Sequence, residues 1–125
     1  VDILLEEAEN RDFTVQTAVG VAINGIPLAT HISDELDIEF AVYRPPYKKV
    51  DPGAMSSNYA DIEGKEIVVV DDVIGTGETM EKTVGDLKAM GAKPKLILAI
   101  VNKTELKEID GVPIRSIVSA RTLAA

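Results

Sequence analysis

The segment Val68-Val69-Val70-Asp71-Asp72-Val73-Ile74-Gly75-Thr76-Gly77-Glu78-Thr79 concentrates residues that can do chemistry. Gly75, Thr76 and Gly77, followed by a helix, let a ligand approach the backbone closely and aim several N–H groups at one point, where the helix N-terminus favours an anion. That is a phosphate cradle. Asp71 and Asp72 stand immediately before it and would repel a phosphate unless they face another part of the same ligand. Hydroxyls or a bridging metal resolve the conflict, because a carboxylate accepts strong charge-assisted hydrogen bonds. A ribose 5-phosphate satisfies both halves, with its phosphate in the glycine turn and its ring hydroxyls on the carboxylates.

Other phosphate-binding patterns fit less well. A nucleoside triphosphate loop carries Gly-Lys-Ser or Gly-Lys-Thr, whereas Glu78-Thr79 follows Gly77 here, so no lysine reaches the phosphates. A dinucleotide fingerprint wants glycine or alanine where Met80 stands, and an acidic residue about 20 positions on, where Leu96 to Ile100 reads as a strand. A phosphorylation receiver needs a further aspartate at a later strand end, and Ile100-Val101-Asn102 offers none. Two glycines alone would be an ordinary turn. Four apolar strand residues and the acidic pair ahead of them make the pattern far more specific.

The elements that must position this segment alternate between strand and helix. Ala18 to Ile23 is a short apolar run bounded by Asn24-Gly25, the mark of a strand buried on both faces. Pro27 suits a first helical turn, and Leu28, Ile32 and Leu36 recur on one face. Ile38 to Tyr43 reads as a second strand. The next stretch, 44–58, lacks periodicity and is long enough to be a functional lid. Asp61 to Gly64 is a turn, Glu66 to Val70 the third strand, and Thr79 to Met90 a helix with Met80, Val84, Leu87 and Met90 inward, ended by Gly91. Lys95 to Val101 and Val112 to Val118 complete about five strands. The alternation predicts an α/β fold, a doubly wound parallel sheet with right-handed crossovers. In the order 2-1-3-4-5, the carboxyl ends of strands one and three flank the switch point where ligands bind. Those ends carry Asn24-Gly25 and Asp71 to Thr79.

Composition narrows the function. The 125 residues fit one domain, 1–125, able to bury roughly two-thirds of its unfolded surface. A formal charge of −8 disfavours a nucleic-acid backbone as partner of this chain. With no cysteine, disulfides, thiolate zinc sites and cysteine nucleophiles are excluded. No apolar run approaches the roughly 18 residues that would span a bilayer, and no signal-like stretch opens the chain, so a cytoplasmic enzyme or binding domain is expected. Asp2 to Glu9 looks like the tail of a helix whose beginning is absent, and an upstream segment is expected. His31, beside the Leu28/Ile32 stripe, reads as a helix-surface residue.

The run VVVDDVIGTGET resembles the phosphoribosyl diphosphate motif of type I phosphoribosyltransferases, and the likeness extends over nearly the whole chain. Ala22-Ile23-Asn24-Gly25-Ile26-Pro27-Leu28-Ala29 is similar to the diphosphate-binding loop of orotate phosphoribosyltransferases. The resemblance implies that a nucleobase nitrogen displaces diphosphate from phosphoribosyl diphosphate through an oxocarbenium-like state, as in pyrimidine nucleotide synthesis. Asp71 and Asp72 would then hold the ribose, stabilise its developing charge and carry magnesium (Mg2+) bound with the diphosphate. Val73, Ile74, Gly75, Thr76, Gly77, Glu78 and Thr79 would surround the 5-phosphate, with Asn24 and Gly25 on the diphosphate. Arg44, Lys48 and Lys49 in the lid would help the leaving group, reaching a neighbouring subunit in the homodimers of this family. Lys103 would face the base.

Two departures leave the outcome open. Orotate enzymes carry a lysine followed shortly by His-Gly in the lid, whereas Lys48-Lys49-Val50-Asp51-Pro52-Gly53 has no histidine. They carry Asp-Arg after the fourth strand, where Asn102-Lys103 stands here, and lysine lacks the fork that suits a carboxylate. The lid and Ser56-Ser57-Asn58-Tyr59 look closer to archaeal orotate phosphoribosyltransferase-like regulators, in which such a domain follows a helix-turn-helix. The expectations are thus a transferase that makes a nucleotide from a base and phosphoribosyl diphosphate or, alternatively, a non-catalytic domain that senses phosphoribosyl diphosphate or a nucleotide for a DNA-binding segment.

Overall fold

The computed structural model describes residues 1–45, 54–55 and 61–119. Five long strands, β1 (Thr17–Val21), β2 (Glu39–Arg44), β4 (Glu66–Ile74), β5 (Lys93–Asn102) and β7 (Val112–Ser119), pair in parallel in the order β2-β1-β4-β5-β7. This is the 2-1-3-4-5 arrangement expected from the sequence. Two two-residue strands, β3 (Ala54–Met55) and β6 (Glu108–Ile109), add antiparallel edges beside β2 and β7. Neither is long enough to show a period in the sequence. β3 falls inside the expected lid, so 44–58 is not wholly without secondary structure. Lys48, Lys49 and Ser56 to Tyr59 lie outside the described residues.

Alternation along the central strands feeds two cores. Val68 and Val70 of β4 join Ala18, Leu96 and Leu98 on one face, covered by Leu4 of α1 (Asp2–Asn10) and by Ala29 and Ile32 of α2 (Gly25–Leu36). Ile67 and Val69 join Val19, Tyr43 and Ile97 on the other, covered by Met80, Val84 and Leu87 of α3 (Glu78–Ala89). Burial of this many apolar side chains on both faces is the main driving force for the fold. The Tyr43 hydroxyl donates to the Asp86 carboxylate at 2.5 Å, tying β2 to α3. Burial, with the Asp86 carboxylate adding to it, pushes that phenol well above its usual range. Among the described residues no helix is long and apolar enough to cross a membrane.

Two strand boundaries differ from expectation. β1 stops at Val21 because the chain turns over Ala22 to Asn24, where Ala22-Ile23 is a cis peptide. Ile23, expected inside a buried strand, is 73% exposed. β4 continues through Ile74 instead of ending at Val70, with Asp71, Val73 and Ile74 opposite Ala99, Val101 and Asn102 of β5. The acidic pair therefore sits on the sheet, not in a loop after it.

On α1, Glu7 is buried between two guanidiniums, accepting from Arg11 Nε and from Arg115 of β7, each at 2.5 Å. Burial alone would raise its carboxyl, but Arg11 and Arg115 outweigh burial and hold it below the usual carboxylate range. A depressed folded value stabilises the fold above the unfolded value, and the benefit is lost as pH falls through the folded one. Glu7→Gln is accordingly expected to lower unfolding free energy by about 1–2 kcal/mol at neutral pH. The deficit should begin to shrink as pH falls below about 4 in urea titrations and vanish once Glu7 is protonated in the folded chain. A constant deficit at all pH values would show that the pairing is not responsible.

Candidate functional site

Three segments meet at the carboxyl edge of the sheet, beside the neighbouring strands β1 and β4. The first is the turn after β1 leading into α2. Gly25 is buried there, and a Cβ built on it would lie 2.2 Å from the Val70 carbonyl oxygen and 3.2 Å from Asp71 Cα. A Cβ on Gly20 would lie 2.8 Å from the Gly25 carbonyl oxygen. The start of α2 thus rests backbone against backbone on β1 and β4, a contact only glycine permits. This brings Asn24 and Gly25 beside Asp71, as expected, with the Asn24 side chain exposed at the helix cap. Asn-Gly here is a packing requirement as well as a turn.

The second segment is the end of β4 and the glycine turn. A cavity of about 320 Å³ is lined by Asp71, by Gly75, Thr76, Gly77 and Thr79 of the turn and helix start, and by Val73, Ile74 and Met80. Gly77 caps α3 in a left-handed conformation, φ +92°, that disfavours any other residue. Gly75 differs: nothing in the protein lies within 4 Å of where its Cβ would be. Packing within the protein does not require glycine at position 75, which faces open space on the cavity lining. Thr76 Oγ1 accepts the Glu78 N–H at 3.3 Å, and the Glu81 N–H donates to the Gly77 carbonyl at 2.8 Å to open the helix. Beyond Glu78, whose N–H is taken by Thr76, the N–H groups of a first helical turn have no intrahelical acceptor and can donate to a ligand. The Glu78 and Thr79 side chains are exposed.

The acidic pair is held by its own backbone. Asp72 N–H donates to Asp71 Oδ1 at 2.8 Å, and Val73 N–H to Asp72 Oδ1 at 2.7 Å. Burial raises the Asp71 carboxyl to about 6, with the neighbouring Asp72 carboxylate adding and the Asp72 N–H opposing. A half-desolvated carboxylate of this kind gains from any hydroxyl donor or cation that arrives. Among the described residues no cluster of three or more acidic or histidine side chains could hold a metal alone. Two adjacent carboxylates do fit magnesium that arrives on phosphate oxygens, since that ion usually binds through one or two carboxylates plus a bound phosphate.

The third segment is the loop after β5. Lys103 N–H donates to the Ile74 carbonyl at 2.9 Å, so the loop is stitched to the end of β4, and the Lys103 side chain is exposed. Asn102 turns onto its own loop: Nδ2 donates to the Leu106 carbonyl at 3.1 Å, and Oδ1 accepts from Thr104 N–H at 2.9 Å and Thr104 Oγ1 at 2.6 Å. Sequence reasoning overlooked Thr104 and Leu106. An Asn-x-Thr spacing at a strand end, which favours side-chain-to-backbone turns, was the available signal. Arg44 is exposed as the last residue of β2. His31 is exposed on α2, at the edge of a mostly apolar groove on the α2 face of the sheet.

Residues 2–118 match the family model of the phosphoribosyl transferase domain. The chain belongs to that family. Among curated relatives, a transcriptional regulator GfcR from Thermoplasma acidophilum is 43% identical over 123 residues, which is 98% of this chain and 61% of the relative. The chain spans about 60% of the length of the curated relatives it matches. An orotate phosphoribosyltransferase structure from Aeropyrum pernix superposes with a TM-score of 0.73 at 24% identity, covering 98% of this chain and 70% of that one. An adenine phosphoribosyl transferase from Trypanosoma brucei, solved with AMP, pyrophosphate and ribose-5-phosphate, gives a TM-score of 0.72 at 23% identity, covering 97% and 63%. The family's α/β fold, with its mostly parallel sheet, is the fold of this chain.

Proposed function

We propose that this domain binds phosphoribosyl diphosphate and serves as the effector-sensing part of a regulator. The observation that carries the reading is one cavity lined both by Asp71, whose carboxylate is bonded to the Asp72 N–H, and by the open glycine turn, which suits the hydroxyl and phosphate parts of one ligand. Asp71 and Asp72 accept the ribose hydroxyls, the turn Gly75 to Gly77 and the start of α3 take the 5-phosphate, and Asn24-Gly25 lies where the diphosphate extends. Magnesium, when bound with the diphosphate, supplies neutralising charge between it and the acidic pair. Sensing is favoured by the named regulators among the relatives and by Asn102, whose amide is engaged within its own loop.

The family membership and fold favour a second reading, transfer of the phosphoribosyl group to an orotate-type base with release of diphosphate. Asp71 and Asp72 would then stabilise the positive charge developing on the ribose, and Lys103, Arg44, Lys48 and Lys49 would be candidates for the base and leaving-group contacts. A homodimer in the cytoplasm belongs to both proposals. Calorimetric titration with phosphoribosyl diphosphate and magnesium, run beside a diphosphate-release assay across orotate and other bases, separates them. Saturable binding without release supports sensing, release establishes transfer, and no binding refutes both.

Gly75 provides a control that isolates the site from the fold. Gly75→Ala is expected to leave stability unchanged or raise it by up to about 1 kcal/mol, because the new methyl meets no protein atom and the unfolded chain loses freedom. The same methyl enters the ligand's space, so affinity for ribose 5-phosphate should fall by about tenfold or more, the scale of a lost charged hydrogen bond. Equal affinities in the two proteins would place the phosphate elsewhere.

A further inference from the structure

Tyr43, fully buried in β2, is tied to three other elements. Its backbone carbonyl accepts the Ala22 N–H at 2.8 Å, which fixes the turn that leads to Asn24 and Gly25. Its backbone also pairs with Met55 of β3. Its hydroxyl crosses to α3, donating to Asp86 Oδ2 at 2.5 Å, and Lys82 Nζ holds the other oxygen of that carboxylate at 3.0 Å. Thr83, also fully buried on α3, lies against the same phenol and donates from Oγ1 to the Thr79 carbonyl at 2.8 Å. Thr79 lines the cavity. One residue thus connects the turn after β1 with the helix whose start forms the phosphate cradle.

We infer that Tyr43 is a positioning residue: through Asp86 it sets where the start of α3 stands relative to the Asn24-Gly25 turn, and so the spacing between the two phosphate-binding parts of the site. The inference rests on the proposed phosphoribosyl diphosphate site. Met80, Val84 and Leu87 hold α3 on the sheet by apolar burial, which is non-directional and lets a helix tilt or slide. A charge-assisted hydrogen bond is short and directional, so it fixes the helix along the sheet. Asp86 stands roughly 14 Å from Gly77 along the axis at the α-helical rise, and an unbroken helix carries a shift at one end to the other. The turn from β4 into α3 has glycine at 75 and 77, so it resists such a shift only weakly. Ribose 5-phosphate meets only β4 and the cradle that follows it directly in the chain. Phosphoribosyl diphosphate must in addition reach Asn24-Gly25, so it alone requires the spacing that Tyr43 sets.

The test compares calorimetric affinities for phosphoribosyl diphosphate with magnesium and for ribose 5-phosphate in the parent, Y43F, D86A, D86N and the Y43F/D86A double variant. Y43F removes only the hydroxyl and is expected to lower the ratio of the first affinity to the second by about fivefold or more, the effect of misplacing one of two linked contacts. D86A should lower it as much, and the double variant no further, since each change removes the same bond. D86N keeps an oxygen for the phenol and should retain the parent ratio to within about twofold. A tie that serves stability alone would lower denaturation midpoints and leave the ratio untouched. That result in Y43F overturns the inference, as does an equal loss in D86N and D86A. If Y43F fails to fold, a parent ratio in D86A overturns it. Absence of binding by the parent overturns the proposed site and the inference together, whereas a binding parent with one ratio across all variants overturns the inference alone.

Discussion

Replacing Asp71 and Asp72 together by asparagine is expected to stabilise the ligand-free chain at neutral pH while removing most of its affinity for phosphoribosyl diphosphate. The two effects share one cause. The Asp71 carboxyl is raised to about 6 by burial and by the neighbouring Asp72 carboxylate, so at pH 7 the folded chain holds a charge that the unfolded chain holds more easily. A raised carboxyl has the native state binding the extra proton, so stability is greatest below the unfolded value, falls as pH rises through about 6, and is level above that. The full shift corresponds to about 3 kcal/mol, and solvent around a half-buried site reduces it to about 1–2 kcal/mol. Asparagine keeps an oxygen for the Asp72-position N–H and carries no charge, so that penalty disappears. Binding moves the other way. Ribose hydroxyls and a magnesium-bound diphosphate favour ionised carboxylates, and neutral amides lose charge-assisted hydrogen bonds worth at least about 2 kcal/mol, or roughly thirtyfold in affinity. Urea titrations at pH 5 and pH 8 with parallel calorimetry measure both. The gain in stability should be present at pH 8 and shrink at pH 5. Unchanged affinity in the double variant would refute the assignment of the acidic pair to the ribose.

Several parts of this site were legible in the sequence because their physics is local. Val68 to Val70 and Ala18 to Val21 are apolar because they are buried on both faces of a central parallel strand, and that run marks the sheet's centre in the sequence. The Met80, Val84 and Leu87 stripe identifies the face of α3, and Gly91 at φ +90° marks where the chain leaves it. Illegible features were those set by contacts between distant segments. Asp71 and Asp72 look like loop residues because strands rarely carry adjacent carboxylates; each here accepts the next residue's N–H while β4 continues beside β5. Gly25 looks like half of an Asn-Gly turn, since nothing near it in sequence reveals that Val70 will lie against it. Leu106 looks like an incidental loop leucine until Asn102 and Thr104 are seen to bond its backbone. β3 and β6 are too short to carry a pattern at all.

Gly25→Ala is expected to damage fold and site together, in contrast to Gly75→Ala. The methyl would be built 2.2 Å from the Val70 carbonyl oxygen, a distance at which something must move. The obstacle is backbone in the middle of β4, paired to β1 on one side and β5 on the other, so it cannot swing aside as a side chain would. The helix must retreat instead. Gly20 presses on the Gly25 carbonyl from β1, so α2 has no free direction along that contact, and lifting it withdraws Ala29 and Ile32 from Ala18, Val68 and Val70. Overpacking of this kind, against backbone, should cost about 3 kcal/mol or more in unfolding free energy. It also shifts Asn24 relative to Asp71, whereas the glycine turn and α3 lie on the other face of the sheet and are undisturbed. Under conditions where Gly25→Ala remains folded, affinity for phosphoribosyl diphosphate should therefore fall more than affinity for ribose 5-phosphate, which has no diphosphate to place beside Asn24 and Gly25. Comparing the two ligands in the parent, Gly25→Ala and Gly75→Ala separates the ends of the site: Gly75→Ala should weaken both alike. A wild-type denaturation midpoint for Gly25→Ala would show that α2 can retreat freely, and equal losses for the two ligands would remove Asn24-Gly25 from the diphosphate end.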